Sequence, residues 1–412
     1  MSAQTQTQAD AAAVAAESRK ELWKDNLRDY GLLVSLLLIV AFFYFITQDH
    51  ASVAPVNVTN LIMQNSYVVI MALGMLLIIV GGNIDLSIGS IVGFVGAIAG
   101  MMIVYWKVPY PIVIVVCLIV GAVIGSAQGY LVAYAKMPSF IVTLGGMLIF
   151  RGLTGNMLLG QFVGPFPKGF QNIASGFLPD VTDLGNFAAS WPDWAQIHWL
   201  SLLIGVVGAV VMFVASLRRW RRARLEQMDV EPLGLLLGKN IVFAALIIGI
   251  AWNLALYKGL PVILVIMAAL ALLYGFITTR SVIGRRIYAL GGNLLAARLS
   301  GVKTERLVFL TFANMGLLAA LAGMVVAARL NSATPSAGTS FELDVIAACF
   351  IGGVSASGGV GKVMNVVIGA LFMGVMNNGM SLIGLGIFWQ QVVKGLVLLA
   401  AVYVDVTQKA KG

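Results

Sequence analysis

Two carboxylates stand in sequence that tolerates few. Asp85 lies in GGNIDLSIGS (81–90) and Asp344 in SFELDVIAACFIGGVSASGGVG (340–361), each just ahead of a run rich in glycine and other small residues. An Asp at the start of a helix accepts unpaired backbone N–H groups and meets the positive end of the helix dipole. Capping is therefore one reading of both residues. The other is that they line a path for a solute. A carboxylate inside a bilayer must face protein, water or a partner, and half-helix ends present hydrogen-bonding groups to a polar solute at the membrane midplane. The two roles are compatible.

Neutral polar residues accompany them within apolar stretches: Gln64, Asn65, Asn83, Ser87, Ser90, Gln128, Thr143, Asn314, Asn377, Asn378, Gln390 and Gln391, with one cation, Lys394. Amides and hydroxyls suit a ring of sugar hydroxyls better than they suit an ion. Many such residues only tie helices together, each contributing about 0.6 kcal/mol. The expected pathway set is Gln64, Asn65, Asn83, Asp85, Ser87, Asp344, Asn377, Asn378, Gln390 and Gln391.

The elements that must hold these groups follow from composition. The chain has 412 residues, 60% hydrophobic and 10% charged. Soluble domains average about 25% charged residues, so this chain cannot cover a water-facing surface. Apolar runs of membrane-crossing length recur. The fold class is all-α: a polytopic helical membrane protein with about ten to twelve transmembrane helices. We place apolar segments from 30–48 to 386–404, with 344–359 read as one of them.

The expected organisation is a cytoplasmic tail (1–29), one transmembrane domain (30–406) and a cytoplasmic tail (407–412). Tail residues 18–30 could form a short helix on the membrane surface. The domain carries an outer loop (156–198), a basic cytoplasmic loop (217–239) and a second cytoplasmic segment (280–306). Most of the 26 Lys and Arg fall on the inner side in this scheme, as the positive-inside tendency requires. The net charge of +9 is thereby explained by topology and anionic lipid, not by nucleic acid. RRWRRAR (218–224) is read as a lipid anchor. Trp191, Trp194 and Trp199 mark an interface, and the long outer loop is read as a platform for an external partner.

The two aspartate-bearing breaks predict an inverted repeat with interrupted half-helices, a common transporter plan. Gly121, Gly125 and Gly129 predict a closely packed helix seam. Cys117 and Cys349 fall inside apolar runs and read as packed hydrophobes, while His50 and His198 are far apart, so no metal site is expected. GGVGK (358–362) lacks the earlier glycine of a phosphate-binding loop, because position 356 is Ala356, and Val363 stands where Ser or Thr must hold magnesium. No other nucleotide motif or nucleophile–base pair is present, so the chain is not expected to be an enzyme or to carry a cofactor.

RRIYALGGNLLAARLS (285–300) is basic, amphipathic and of helix length, and it lies between two apolar runs. Arg285, Arg286 and Arg298 place it on the cytoplasmic side, where it offers a docking surface for a soluble motor.

Together with this segment, GGNIDLSIGS, MPSFIVTLGGMLIFRG, ELDVIAACFIGG and FWQQVVKGLVLLAAV resemble the ribose/xylose-type permeases of bacterial ABC sugar importers, over residues 30–406. The length between 157 and 260 is more like the xylose and multiple-monosaccharide members. The resemblance implies an inner-membrane permease that pairs with a second copy. It further implies cytoplasmic ATPase subunits carrying ATP and magnesium, and a periplasmic sugar-binding protein that delivers a pentose or hexose. By the same resemblance the ATPase contact falls on Tyr288, Gly291, Gly292, Asn293, Ala296, Ala297, Arg298, Ser300 and Gly301. The alternatives are an ion-coupled secondary transporter and a passive channel. A self-sufficient carrier has no use for a docking segment, and few buried carboxylates are available for ion coupling.

Overall fold

The computed structural model describes residues 31–180, 197–226 and 232–410. Residues of the expected N-terminal tail, the tryptophans Trp191 and Trp194, and the last residues of the C-terminal tail lie outside that set. Among the described residues the regular structure is helical, apart from two isolated bridge pairs.

In chain order the helices are α1 (Gly31–Ile46), α2 (Pro55–Val80), α3 (Ile88–Gly100, continued by a π-turn over Met101–Tyr105), α4 (Tyr110–Ala133) and α5 (Ser139–Leu158). Then come α6 (Lys168–Ser175), α7 (Trp199–Leu225), α8 (Leu233–Ala255), α9 (Val262–Arg280), α10 (Val282–Gly292) and α11 (Leu294–Leu299). The last are α12 (Thr304–Leu330), α13 (Phe341–Ile351), α14 (Val363–Leu382) and α15 (Ile387–Ala410). Among the described residues nine helices are long and apolar enough to cross a membrane, with shorter apolar helices at Gly31–Ile46 and Ile387–Tyr403. The polytopic helical class therefore stands.

Three expected boundaries are corrected. The segment 344–359 is not a span: α13 has 11 residues, about 16 Å against a hydrocarbon core of about 30 Å. Gly352 and Gly353 end it, and small residues carry the chain through a turn to α14. The basic cluster 218–224 is not in a loop, because α7 continues through it to Leu225. The helix-length stretch 285–300 is not one helix but parts of two, broken at Asn293.

The chain divides into two compact units. In the unit containing 179–259, α7 and α8 form an antiparallel hairpin: Gly205 packs on Ala251, and Asn240 donates to Ser216 Oγ at 3.1 Å. His198 caps α7 through Ser201, and Asp180 accepts the Leu200 N–H at 3.1 Å.

In the unit containing 39–178 and 260–412, α2 is the central helix. It is apolar all round and buried along nearly its whole length from Ile62 to Val80, as expected for a helix enclosed by others. The expected seam exists between α4 and α12. A Cβ on Gly125 would strike the Phe312 carbonyl oxygen, and one on Gly316 would strike that of Gly121, so the two backbones touch directly.

The two aspartate-bearing breaks are built differently. After Asp85 the chain enters a full-length helix, whereas Asp344 sits inside the half-length α13. They do not establish an inverted repeat.

Candidate functional site

A cavity of about 220 Å³, its wall mainly apolar with several polar side chains set into it, opens where α2, the end of α12, the start of α13, and α14 and α15 converge. Drug-sized ligands occupy about 300–1,000 Å³, so this space takes a smaller solute. From the expected set, Gln64, Asn65, Asn377 and Gln390 line it. Tyr67, Arg329, Phe341, Ser381 and Lys394 also line it and were not in that set.

Asp344 lies immediately behind this wall, buried to 1% exposure. Its carboxylate accepts from Tyr67 Oη at 3.0 Å and from Asn377 Nδ2 at 3.2 Å. The Lys394 ammonium approaches Oδ1 at 2.9 Å and Oδ2 at 3.0 Å. The capping reading of Asp344 is therefore corrected: no side-chain cap is made at the start of α13, and the carboxylate serves a lateral ion pair. A charge this deep must be paired and hydrogen-bonded, because desolvation otherwise costs several kcal/mol. Tyr67 also stacks on Phe341, with ring centroids 3.8 Å apart.

Two polar groups at the cavity lack such satisfaction. Among the described residues Asn377 Oδ1 is buried with no hydrogen-bond partner. Arg329 pairs with none of the described carboxylates.

The remaining expected residues lie elsewhere. Asn378 exchanges two hydrogen bonds with Asn57, at 2.8 and 3.0 Å. Gln391 is exposed and absent from the cavity wall. Asn83, Asp85 and Ser87 follow the far end of α2, and the rise of about 1.5 Å per residue separates Asn65 from Val80 by about 22 Å. There Asp85 accepts from Ser87 N at 2.8 Å and Ser87 Oγ at 2.6 Å, shaping the turn into α3, and Gln128 donates to Ser87 Oγ at 2.9 Å.

At that same far end, α10 lies across the close of α2. A Cβ on Gly291 would collide with the Val80 carbonyl oxygen, so glycine is obligatory for this approach. Gly359, at φ 75°, donates its N–H to the same Val80 oxygen at 2.9 Å. Tyr288 donates to the Gly361 carbonyl at 2.7 Å, and burial pushes its hydroxyl up to about 12, keeping it a neutral donor. The GGVGK turn is thus a packing contact for α10.

The rest of the segment faces outward. Leu294, Leu295 and Leu299 are 60%, 67% and 81% exposed beside the exposed Arg298. Gly292 has open space above it, and Asn293 caps α11 by accepting the Ala296 N–H at 2.9 Å. Ala296, Ser300 and Gly301 are exposed, but Ala297 is buried and cannot itself be touched by a partner. The three leucines were missed by sequence reading, although apolar residues on a short basic helix at a membrane end were the available signal.

Among the described residues no group of three or more His, Cys, Asp or Glu could hold a metal ion. Cys117 and Cys349 are free and buried.

A family model described as branched-chain amino acid transport system / permease component matches residues 57–402. The xylose transport system permease protein XylH of Haemophilus influenzae is 39% identical over 387 residues, covering 94% of this chain and 98% of that protein. XylH of Escherichia coli is 38% identical over 389 residues, 94% of this chain and 93% of its own length. The ribose import permease protein RbsC of Haemophilus influenzae is 34% identical over 372 residues, 90% and 91% of the two chains. No solved structure matches the chain.

Proposed function

The chain belongs to the branched-chain amino acid transport system / permease component family, and on that premise we propose that it is the membrane subunit of an ATP-driven importer for a pentose or hexose. Relatives over nearly the whole chain are named for xylose and ribose, which favours a monosaccharide over an amino acid. The single observation that carries the ATP-driven part is the leucine face of α11, held beside an α10 locked by main-chain contacts to α2 and to the turn before α14. Exposed leucines outside the spans need a partner to cover them.

In this reading α10 and α11 face the cytoplasm of a bacterial inner membrane, and both termini lie on that side. ATPase subunits, which carry ATP and magnesium, dock on Leu294, Leu295, Arg298 and Leu299. Two copies of the chain flank the pathway, and a periplasmic binding protein delivers sugar to the opposite side. Movement of α10 reaches α13 through Gly291, Gly359 and the short turn between them and Gly352. The half-helix that carries Asp344 is thus at the end of the lever.

The test is reconstitution in vesicles with the ATPase and binding protein, using a panel of monosaccharides. ATP-dependent uptake that survives a protonophore is the expected result. Accumulation by this chain alone under an ion gradient would overturn the proposal and favour a secondary carrier.

A further inference from the structure

We infer that the cavity between α2 and α15 is a binding site for the transported solute on the membrane subunit itself, and that it selects a neutral polyhydroxylated ring. The inference rests on the importer reading above and adds where, and by what chemistry, the permease holds its cargo.

Three observations converge. Asn377 is 8% exposed, and its Oδ1 is a buried acceptor with no donor among the described residues. Its amide nitrogen is already committed to Asp344, which fixes the orientation of a side chain that lines the cavity. An orphaned buried acceptor costs about 1–3 kcal/mol, and a ligand hydroxyl that donates to it recovers that loss. Arg329 supplies the opposite function: a half-buried guanidinium on the cavity wall with no carboxylate partner among the described residues, offering donors to hydroxyl or ring oxygens. The stacked Tyr67 and Phe341 add aromatic lining for the C–H face of a ring.

Charge decides the class. Lys394 is neutralised by Asp344 at 2.9 Å, so Arg329 is the one unbalanced charge on the wall among the described residues. A cation is repelled. A hydroxyl, being donor and acceptor at once, satisfies both Asn377 and Arg329, whereas a carboxylate satisfies Arg329 and leaves Asn377 Oδ1 without a donor.

The test uses the complete reconstituted transporter with Ser381→Cys, a near-isosteric change on the cavity wall. The native thiols Cys117 and Cys349 are fully buried, so a water-soluble methanethiosulfonate reports on position 381. Saturating D-xylose or D-ribose is expected to slow modification by about tenfold in either the nucleotide-free or the vanadate-trapped state, as occupation at about ten times Kd requires. Equal rates with and without sugar in both states would overturn the site. Protection by the sugar acid D-xylonate but not by the neutral sugar would overturn the selectivity. Asn377→Ala is expected to raise the KM for uptake by about tenfold, the loss of one ligand hydrogen bond in a buried setting. An unchanged KM in membranes with normal permease levels counts against the site; should the variant not insert, the protection assay decides. Failure of the wild-type complex to take up any monosaccharide with ATP instead rejects the importer reading itself.

Discussion

Lys394 and Asp344 meet across 50 residues of sequence, their charged atoms 2.9 Å apart, with the carboxylate 1% exposed. They join α15 to the half-helix α13 beside the cavity. Removing one partner leaves the other charge stranded. Lys394→Met or Asp344→Asn alone is expected to cost about 3–5 kcal/mol, whereas the double variant recovers most of that loss. Thermal unfolding in detergent measures it; additive losses in the double variant would show that the two charges do not act as a pair.

Gly291 and Gly292 are neighbours with opposite environments. Gly291→Leu forces a side chain into the Val80 carbonyl and is expected to abolish properly folded protein. Gly292→Trp meets open space and is expected to preserve folding while uncoupling ATP hydrolysis from uptake. Size-exclusion profiles and coupled assays separate the two. The neighbouring Ala297 is a poor probe, because it is buried and a large replacement there disturbs packing first.

The exposed leucines of α11 give a separable prediction. Leu295→Ser with Leu299→Ser is expected to leave the melting temperature within the scatter of surface substitutions, about 0.5 kcal/mol. Co-purification with the ATPase should fall by about tenfold or more, the scale of two lost interface anchors. Full retention of the ATPase would move the docking face elsewhere.

Tyr288→Phe deletes the 2.7 Å bond to Gly361 and is expected to cost about 1 kcal/mol. Because the folded hydroxyl titrates near 12 rather than 10, its contribution is complete below pH 10 and fades as pH rises toward 12. Stability curves of wild type and variant should therefore run parallel between pH 6 and 9 and converge only in strong base. Convergence near neutrality would contradict this assignment.

The α4–α12 seam leaves no room for a side chain either. Gly125→Leu is expected to prevent folding, since the added atoms meet Phe312 and Gly316 backbone. Wild-type levels of folded protein would refute the contact.

Much of this architecture was legible in the sequence. Sparse charge and long apolar runs gave the membrane class, and the spacing of Gly121, Gly125 and Gly129 gave the seam. The cavity was only half legible. Gln64 and Asn377 stood out as amides in apolar sequence, but nothing in their spacing says that they converge, because that depends on where α13 stops. The run after Ile351, GGVSASGG, is rich in glycine and serine, a break signal that reading 344–359 as a span passed over; the folded turn at Gly352 and Gly353 shows that half a span is missing. Arg329 carried a signal that was overlooked: a cation at the end of an apolar span, away from the basic clusters. Asp85 and Asp344 read alike as letters because each precedes small residues; their different partners, Ser87 and Lys394, come from the chain's return in space.

The junction of Gly291, Val80 and Gly359 is made of main-chain atoms. Evolution and engineering have no side chain there to trim, only room to add bulk that does not fit. Anyone grafting α10 from a sibling transporter must therefore transplant its two glycine-bearing strips together, as a matched cassette, because neither backbone leaves room for the other's added bulk.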